Sequence, residues 1–166
     1  MTDETVAVGT LRGWSGARAV TVPGYAVRAA GAMLALAVAA VHVADQGGVT
    51  AFTSPDWIGW GYRLIEIGGA LTAMALLLPR PGWLGPAWAD WAAGVLLGAG
   101  PFAAYILSRT VGVPGDPGDV GNWGYWVGTV SLLVEAALMA LSVSMLSVAP
   151  WRSSRTARRR LAGAGQ

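Results

Sequence analysis

Four stretches of about twenty residues, sparing of charge, dominate the chain: 25–44, 57–78, 88–107 and 126–148. A helix of ~20 residues rises ~30 Å, the thickness of a bilayer's hydrocarbon core. No water completes backbone hydrogen bonds inside that layer, so each stretch has to be helical. The other home for such runs is the core of a soluble protein. Four of them in 166 residues would leave almost no polar surface to face water. The fold class that follows is all-α: an integral membrane four-helix bundle.

Composition agrees. Only 12% of the residues are charged, about half the share usual in soluble domains. There is no cysteine, which excludes a disulfide scaffold, a thiolate metal site, a haem-attachment motif and thiol catalysis. The net charge of +2 is too small to imply a nucleic-acid partner.

Every basic residue is arginine, and their placement is lopsided. Arg12, Arg18, Arg28, Arg80, Arg152, Arg155, Arg158, Arg159 and Arg160 lie in or beside the tails and the second loop. The first and third loops carry Arg109 alone, beside Asp45, Asp56, Asp116 and Asp119. By the positive-inside rule both termini are cytoplasmic, as an even number of spans requires. Residues 1–24 then form a flexible cytoplasmic tail, 25–148 the bundle and 149–166 a basic cytoplasmic tail. Ala37-Val38-Ala39 resembles a signal-peptidase site, but the long, partly acidic segment before span one favours an uncleaved helix. Trp57, Trp60, Trp83, Trp88, Trp91, Trp123, Trp126 and Trp151 fall near span ends, where amphipathic rings prefer the headgroup layer. The chain is expected to cross its membrane several times. The partners implied are the lipid bilayer and, at the arginine-rich tail, anionic headgroups.

Small and polar residues recur every three or four positions, placing them on one face of each helix. The series are Arg28, Gly31, Ala35, Val38, His42 and Asp45; Gly59, Arg63, Glu66, Ala70 and Ala73; Asp90, Gly94, Gly98, Pro101, Tyr105 and Ser108; and Gly124, Gly128, Ser131, Glu135 and Ser142. Leu138 interrupts the last. Membrane helices associate through such residues because small side chains let backbones approach. Pro101 removes a donor from span three and is expected to kink it.

The ionisable residues of the spans lie on or beside these stripes. Counted at ~1.5 Å per residue, Glu66 and Glu135 both sit ~13 Å below the outer boundary. A charge at that depth costs ~2.5 kcal/mol or more, so each carboxyl has to be paired, protonated or metal-bound. The plainest arrangement is an internal network, Arg63 and Arg109 against Glu66 and Glu135, with His42 and Tyr105 completing hydrogen bonds. A metal site of His42, Glu66 and Glu135 is a second arrangement, with ligands that zinc, iron, manganese or copper(II) accept. A third is a protonatable pocket that takes a small ligand from the outer side. A lone histidine cannot ligate a haem twice, and no cofactor is expected beyond that possible divalent metal.

In the third loop Asp116, Asp119 and Asn122 recur every third residue among Pro and Gly. These are ordinary turn residues. They also offer three oxygens to a cation, short of the six to eight that Ca²⁺ takes. The loop is polar, stiff and set above the charged cluster, so it is a candidate contact surface.

No Walker loop, nucleophile elbow, HExxH, dinucleotide fingerprint or Ser-His-Asp arrangement occurs, and no catalytic residue is assigned. The blocks Val41 to Gly48, Gly59 to Glu66, Tyr105 to Gly115, Gly121 to Trp123 and Ser131 to Glu135 resemble a group of small, uncharacterised four-helix membrane proteins of actinobacteria. That resemblance implies four spans in a bacterial plasma membrane and supplies no activity. Glu66 followed by Gly68 and Gly69 is also similar to DoxX-like four-helix proteins, whose arginine–glycine pattern span one lacks; no function carries over. The expectation for function is a non-catalytic accessory or scaffold subunit that contacts a larger membrane protein. The alternative is a stand-alone binder or carrier of a small ligand, proton or metal ion, using an outward-facing pocket of His42, Arg63, Glu66 and Glu135.

Overall fold

A computed structural model describes residues 21–79 and 86–163, with side chains from 24 to 148. Four helices make up the fold: α1 (Thr21–Gln46), α2 (Asp56–Leu77), α3 (Trp88–Thr110) and α4 (Trp126–Gly163), with a short 3-10 turn at Pro117–Asp119. Arg12, Arg18, Arg80 and Trp83 lie outside the described residues, and the side chains of Trp151 and the five C-terminal arginines do too. Two boundaries move. α1 begins within the stretch read as a tail, and α4 continues as helix to Gly163.

α1, α3 and α4 each contain 23 residues apolar enough to cross a membrane. α2 falls short of that hydropathy because it carries Asp56, Arg63 and Glu66. It nevertheless runs between the same two ends as its neighbours. The α1 residue Arg28 meets the last turn of α2, while Asp45, near the other end of α1, meets Tyr62 near the start of α2. A bilayer that holds three of these helices therefore holds the fourth. The outer face of α2 suits this, with Leu64, Ile67, Leu71 and Met74 exposed.

Consecutive helices are neighbours around the bundle, and α4 closes it against α1. The tight pairs are α1 with α2 and α3 with α4, and in both a glycine sets the approach. A Cβ on Gly69 would stand 2.7 Å from the Ala35 carbonyl, and one on Gly98 would stand 2.7 Å from the Glu135 carbonyl. Between these contacts lies a core of Ala32, Ala35, Val38, Ala73, Leu76 and Leu138.

The stripes on α1 and α3 face inward, as the spacing predicts. On α2, Gly59 and Ala73 are buried as the spacing predicts, but Ala70 is exposed and Gly69 beside it is buried instead. Leu138, which breaks the polar pattern of α4, is fully buried between Glu135 and Ser142. Trp91 is not an interfacial anchor but a core residue, its ring against Gly31. α3 stays one helix through the buried Pro101.

The helix ends have local causes. Gly47 (φ 90) ends α1, its N–H on the Ala44 carbonyl and that of Gly48 on Val43. These paired bonds form a Schellman cap, which requires the left-handed conformation that glycine adopts freely. Arg28 ties three helices at the opposite end: Nε donates to the Leu76 carbonyl (2.7 Å), and Nη2 donates to Ala75 (2.9 Å) and to Asp90 of α3 (3.1 Å). A cation there also suits the C-terminal dipole of α2.

Gly98→Leu is expected to destabilise the detergent-solubilised protein by about 1–3 kcal/mol through forced separation of α3 from α4. Gly100→Leu, where a Cβ meets nothing within 4 Å, should melt close to the parent. Equal melting temperatures for the two variants would contradict this packing.

Candidate functional site

At the end of the bundle opposite Arg28, the helices splay around a cavity of about 390 Å³. Its floor is polar because α4 carries Ser131 and Glu135 one turn apart on its inward face. Glu135 is 1% exposed. Its Oε1 accepts from the Ser131 hydroxyl and lies 3.7 Å from His42 Nε2. The Val38 carbonyl can only accept, so His42 Nδ1 donates to it at 2.9 Å. That bond orients the ring and turns Nε2 toward the glutamate. Glu135 Oε2 has no hydrogen-bond partner among the described residues.

Aromatic residues form the walls. Tyr62 and Tyr125 both donate to Asp45, the latter at 2.5 Å, so one carboxylate links α1, α2 and the start of α4. The His42 and Tyr62 rings meet edge to face at 5.5 Å. Tyr105 lies against Gly128, where any side chain would displace its ring. The Arg109 guanidinium stands 4.5 Å from the Tyr105 ring centre, a cation–π contact. Arg109 is 5% exposed and pairs with Asp119. Its Nε and the Tyr105 hydroxyl both lack partners.

The third loop covers the mouth. Gly112 (φ 80) turns the chain after α3. The Gly121 N–H then returns to the Arg109 carbonyl (2.9 Å), and Trp57 Nε1 donates to the Pro114 carbonyl (3.2 Å). Asp116, Asp119 and Asn122 all border the cavity.

His42, Tyr105, Arg109 and Glu135 thus meet as the sequence suggests, but Arg63 and Glu66 do not join them. A helix turns ~100° per residue, so Tyr62 and Ile65 face the cavity while Glu66 points toward the end of α1. There its oxygens accept from Arg63 Nη1 and from Gln46 Nε2, each at 2.5 Å, and Arg63 also donates to the Ala51 carbonyl. Glu66 and Glu135 therefore belong to separate clusters, and Arg109 pairs with Asp119 rather than with either glutamate. Among the described residues no three His, Asp or Glu side chains stand together as a metal would require.

Sequence reasoning left out Tyr62 and Tyr125 as site residues. Their signal was present but faint: each is a phenol within reach of the aqueous end, next to a residue that drew more notice (Arg63 and Trp126). No protein family matches the chain, and neither does any curated protein or solved structure.

The hydrogen bond to Asp45, followed by burial, pushes the Tyr125 phenol from 10.0 up to about 12. A phenol whose folded value is raised holds its proton more tightly in the native state. Its contribution to stability is therefore complete below pH 10 and lost as pH rises through about 12. Tyrosinate absorbance, taken as the difference between the parent and Tyr125→Phe, should show a midpoint near that value. Asp45→Asn should lower the midpoint, and an ordinary midpoint in the parent would remove this link between α1 and α4.

Proposed function

We propose that the protein binds a small molecule in this cavity, as a stand-alone membrane receptor or carrier. The observation that carries the reading is the set of buried polar atoms around one hollow. Glu135 Oε2, Arg109 Nε and the Tyr105 hydroxyl all lack hydrogen-bond partners among the described residues, and their residues border the same space. Burying a polar group without a partner costs ~1–3 kcal/mol. Three such groups in residues that border one hollow leave bonds that a ligand could complete. The volume falls within the ~300–1,000 Å³ usual for small-molecule pockets. On the arginine distribution, the mouth opens to the outer side of a bacterial plasma membrane and both tails lie in the cytoplasm.

An accessory role rests on a different observation. Val111, Val120 and Trp123 are exposed on the third loop, which Arg109 and Trp57 hold in place. A firm, partly apolar loop at the aqueous end suits contact with a larger membrane protein. Purification from native membranes in mild detergent separates the two readings, since a stoichiometric partner favours the accessory role.

A cavity-filling variant tests the binding reading. Gly61 borders the cavity, and a Cβ there meets nothing within 4 Å. Gly61→Leu should therefore fold, aided by the better helix propensity of leucine, while occupying the space a ligand needs. A compound that stabilises the parent at 100 times its Kd adds ~2.7 kcal/mol. That stabilisation should vanish in Gly61→Leu with the basal melting temperature kept. Undiminished ligand stabilisation in Gly61→Leu would move the binding site elsewhere.

A further inference from the structure

The charge around the cavity points to the class of ligand, an inference that rests on the binding reading above. Four carboxylates border the hollow, Asp45, Asp116, Asp119 and Glu135, against one guanidinium and one imidazole. Arg109 is committed to Asp119 and to the Tyr105 face, so its charge is already matched. Glu135 is less committed: one oxygen takes the Ser131 hydroxyl and lies 3.7 Å from His42 Nε2, and the other is buried and without a partner among the described residues, in a residue that borders the hollow. Asp116, at the mouth, has no ion-pair partner among the described residues. Aromatic rings supply the remaining surface, with Trp57, Tyr62 and Tyr125 beside Tyr105. Rings beside carboxylates attract ammonium groups, because the negative face of each ring adds to the carboxylate field.

We propose that the cavity takes a small organic cation, an amine or quaternary ammonium with an apolar body, whose charged end reaches Glu135 at the floor. The field of the mouth carboxylates draws such a cation inward. The rings and the apolar side chains of Val41, Ile58 and Ile65 enclose its body. A neutral molecule of the same shape forgoes the ion pair. An anion meets Asp45, Asp116 and Glu135, none of them paired with a guanidinium among the described residues.

The test uses the full chain in detergent and three probes of one size: benzyltrimethylammonium, 2-phenylethanol and 3-phenylpropionate. Calorimetric titration should give saturable binding of the cation, at least tenfold tighter than the alcohol, with the carboxylate weakest. Glu135→Gln should weaken the cation at least tenfold and leave the alcohol within a factor of two. Asp56→Asn, an exposed acid outside the cavity, should bind like the parent. The charge ranking is read on the unaltered chain, so it stands even where Glu135→Gln fails to fold. Preference for the alcohol or the carboxylate, lost in Gly61→Leu, overturns the cation proposal and keeps the binding reading. No binding of any probe overturns the cation proposal, and a wider compound screen that also finds nothing takes the binding reading with it.

Discussion

α3 and α4 meet where Gly98 presents no side chain to the Glu135 carbonyl, and much of the rest depends on that approach. Lipid tails solvate leucine as well as another helix does, so apolar side chains give little reason for two membrane helices to associate. Backbone proximity supplies the reason instead, through dispersion contacts that only small residues permit. With α3 held this close, Glu135 cannot turn outward to lipid, and its carboxyl is directed into the space between the helices. The same approach two turns further along, where Tyr105 lies against Gly128, closes one wall of that space. Gly69 does for α1 and α2 what Gly98 does for α3 and α4.

Charge is then distributed so that little of it meets lipid. Arg28 gathers the end of α2 and the start of α3 at one end of the bundle, Arg63 and Glu66 neutralise each other beside α1, and Arg109 is matched by Asp119 from the covering loop. Glu135 is the exception, since it has a hydroxyl and an imidazole nearby but no guanidinium. The fold therefore has one acidic group placed deep and left partly unsatisfied, below a mouth bordered by other acids and lined with rings. A bundle maintained for shape alone has no need of this arrangement, because a leucine at the floor would pack better than a half-bonded carboxyl.

The inward faces of α1 and α3 were legible because their small and polar residues repeat strictly at three and four. α2 was legible only in part. Gly68, Gly69 and Ala70 are all small, so periodicity could not choose among them, and it is Gly69 rather than Ala70 that packs against α1. Glu66 does turn inward, but toward Gln46 at the end of α1, while Tyr62, outside the series of small and polar residues, borders the cavity. Trp91 misled for a related reason: tryptophan near a span end usually anchors at the interface, but Gly31 opposite leaves a hole that its ring fills.

The sequence by itself determined the helices, their approximate ends and the gathering of most acidic groups of the spans and loops toward one end. Those follow from hydropathy and three-to-four-residue spacing, which act within a single segment. Only the tertiary structure decided which groups share a space. Depth and face are properties of one helix, whereas pairing depends on the rotation of each helix against its neighbours, set by backbone contacts at Gly69 and Gly98. Two glutamates at one depth thus came to lie in different clusters. An aspartate and two tyrosines from three segments, with nothing in their order to connect them, became one wall.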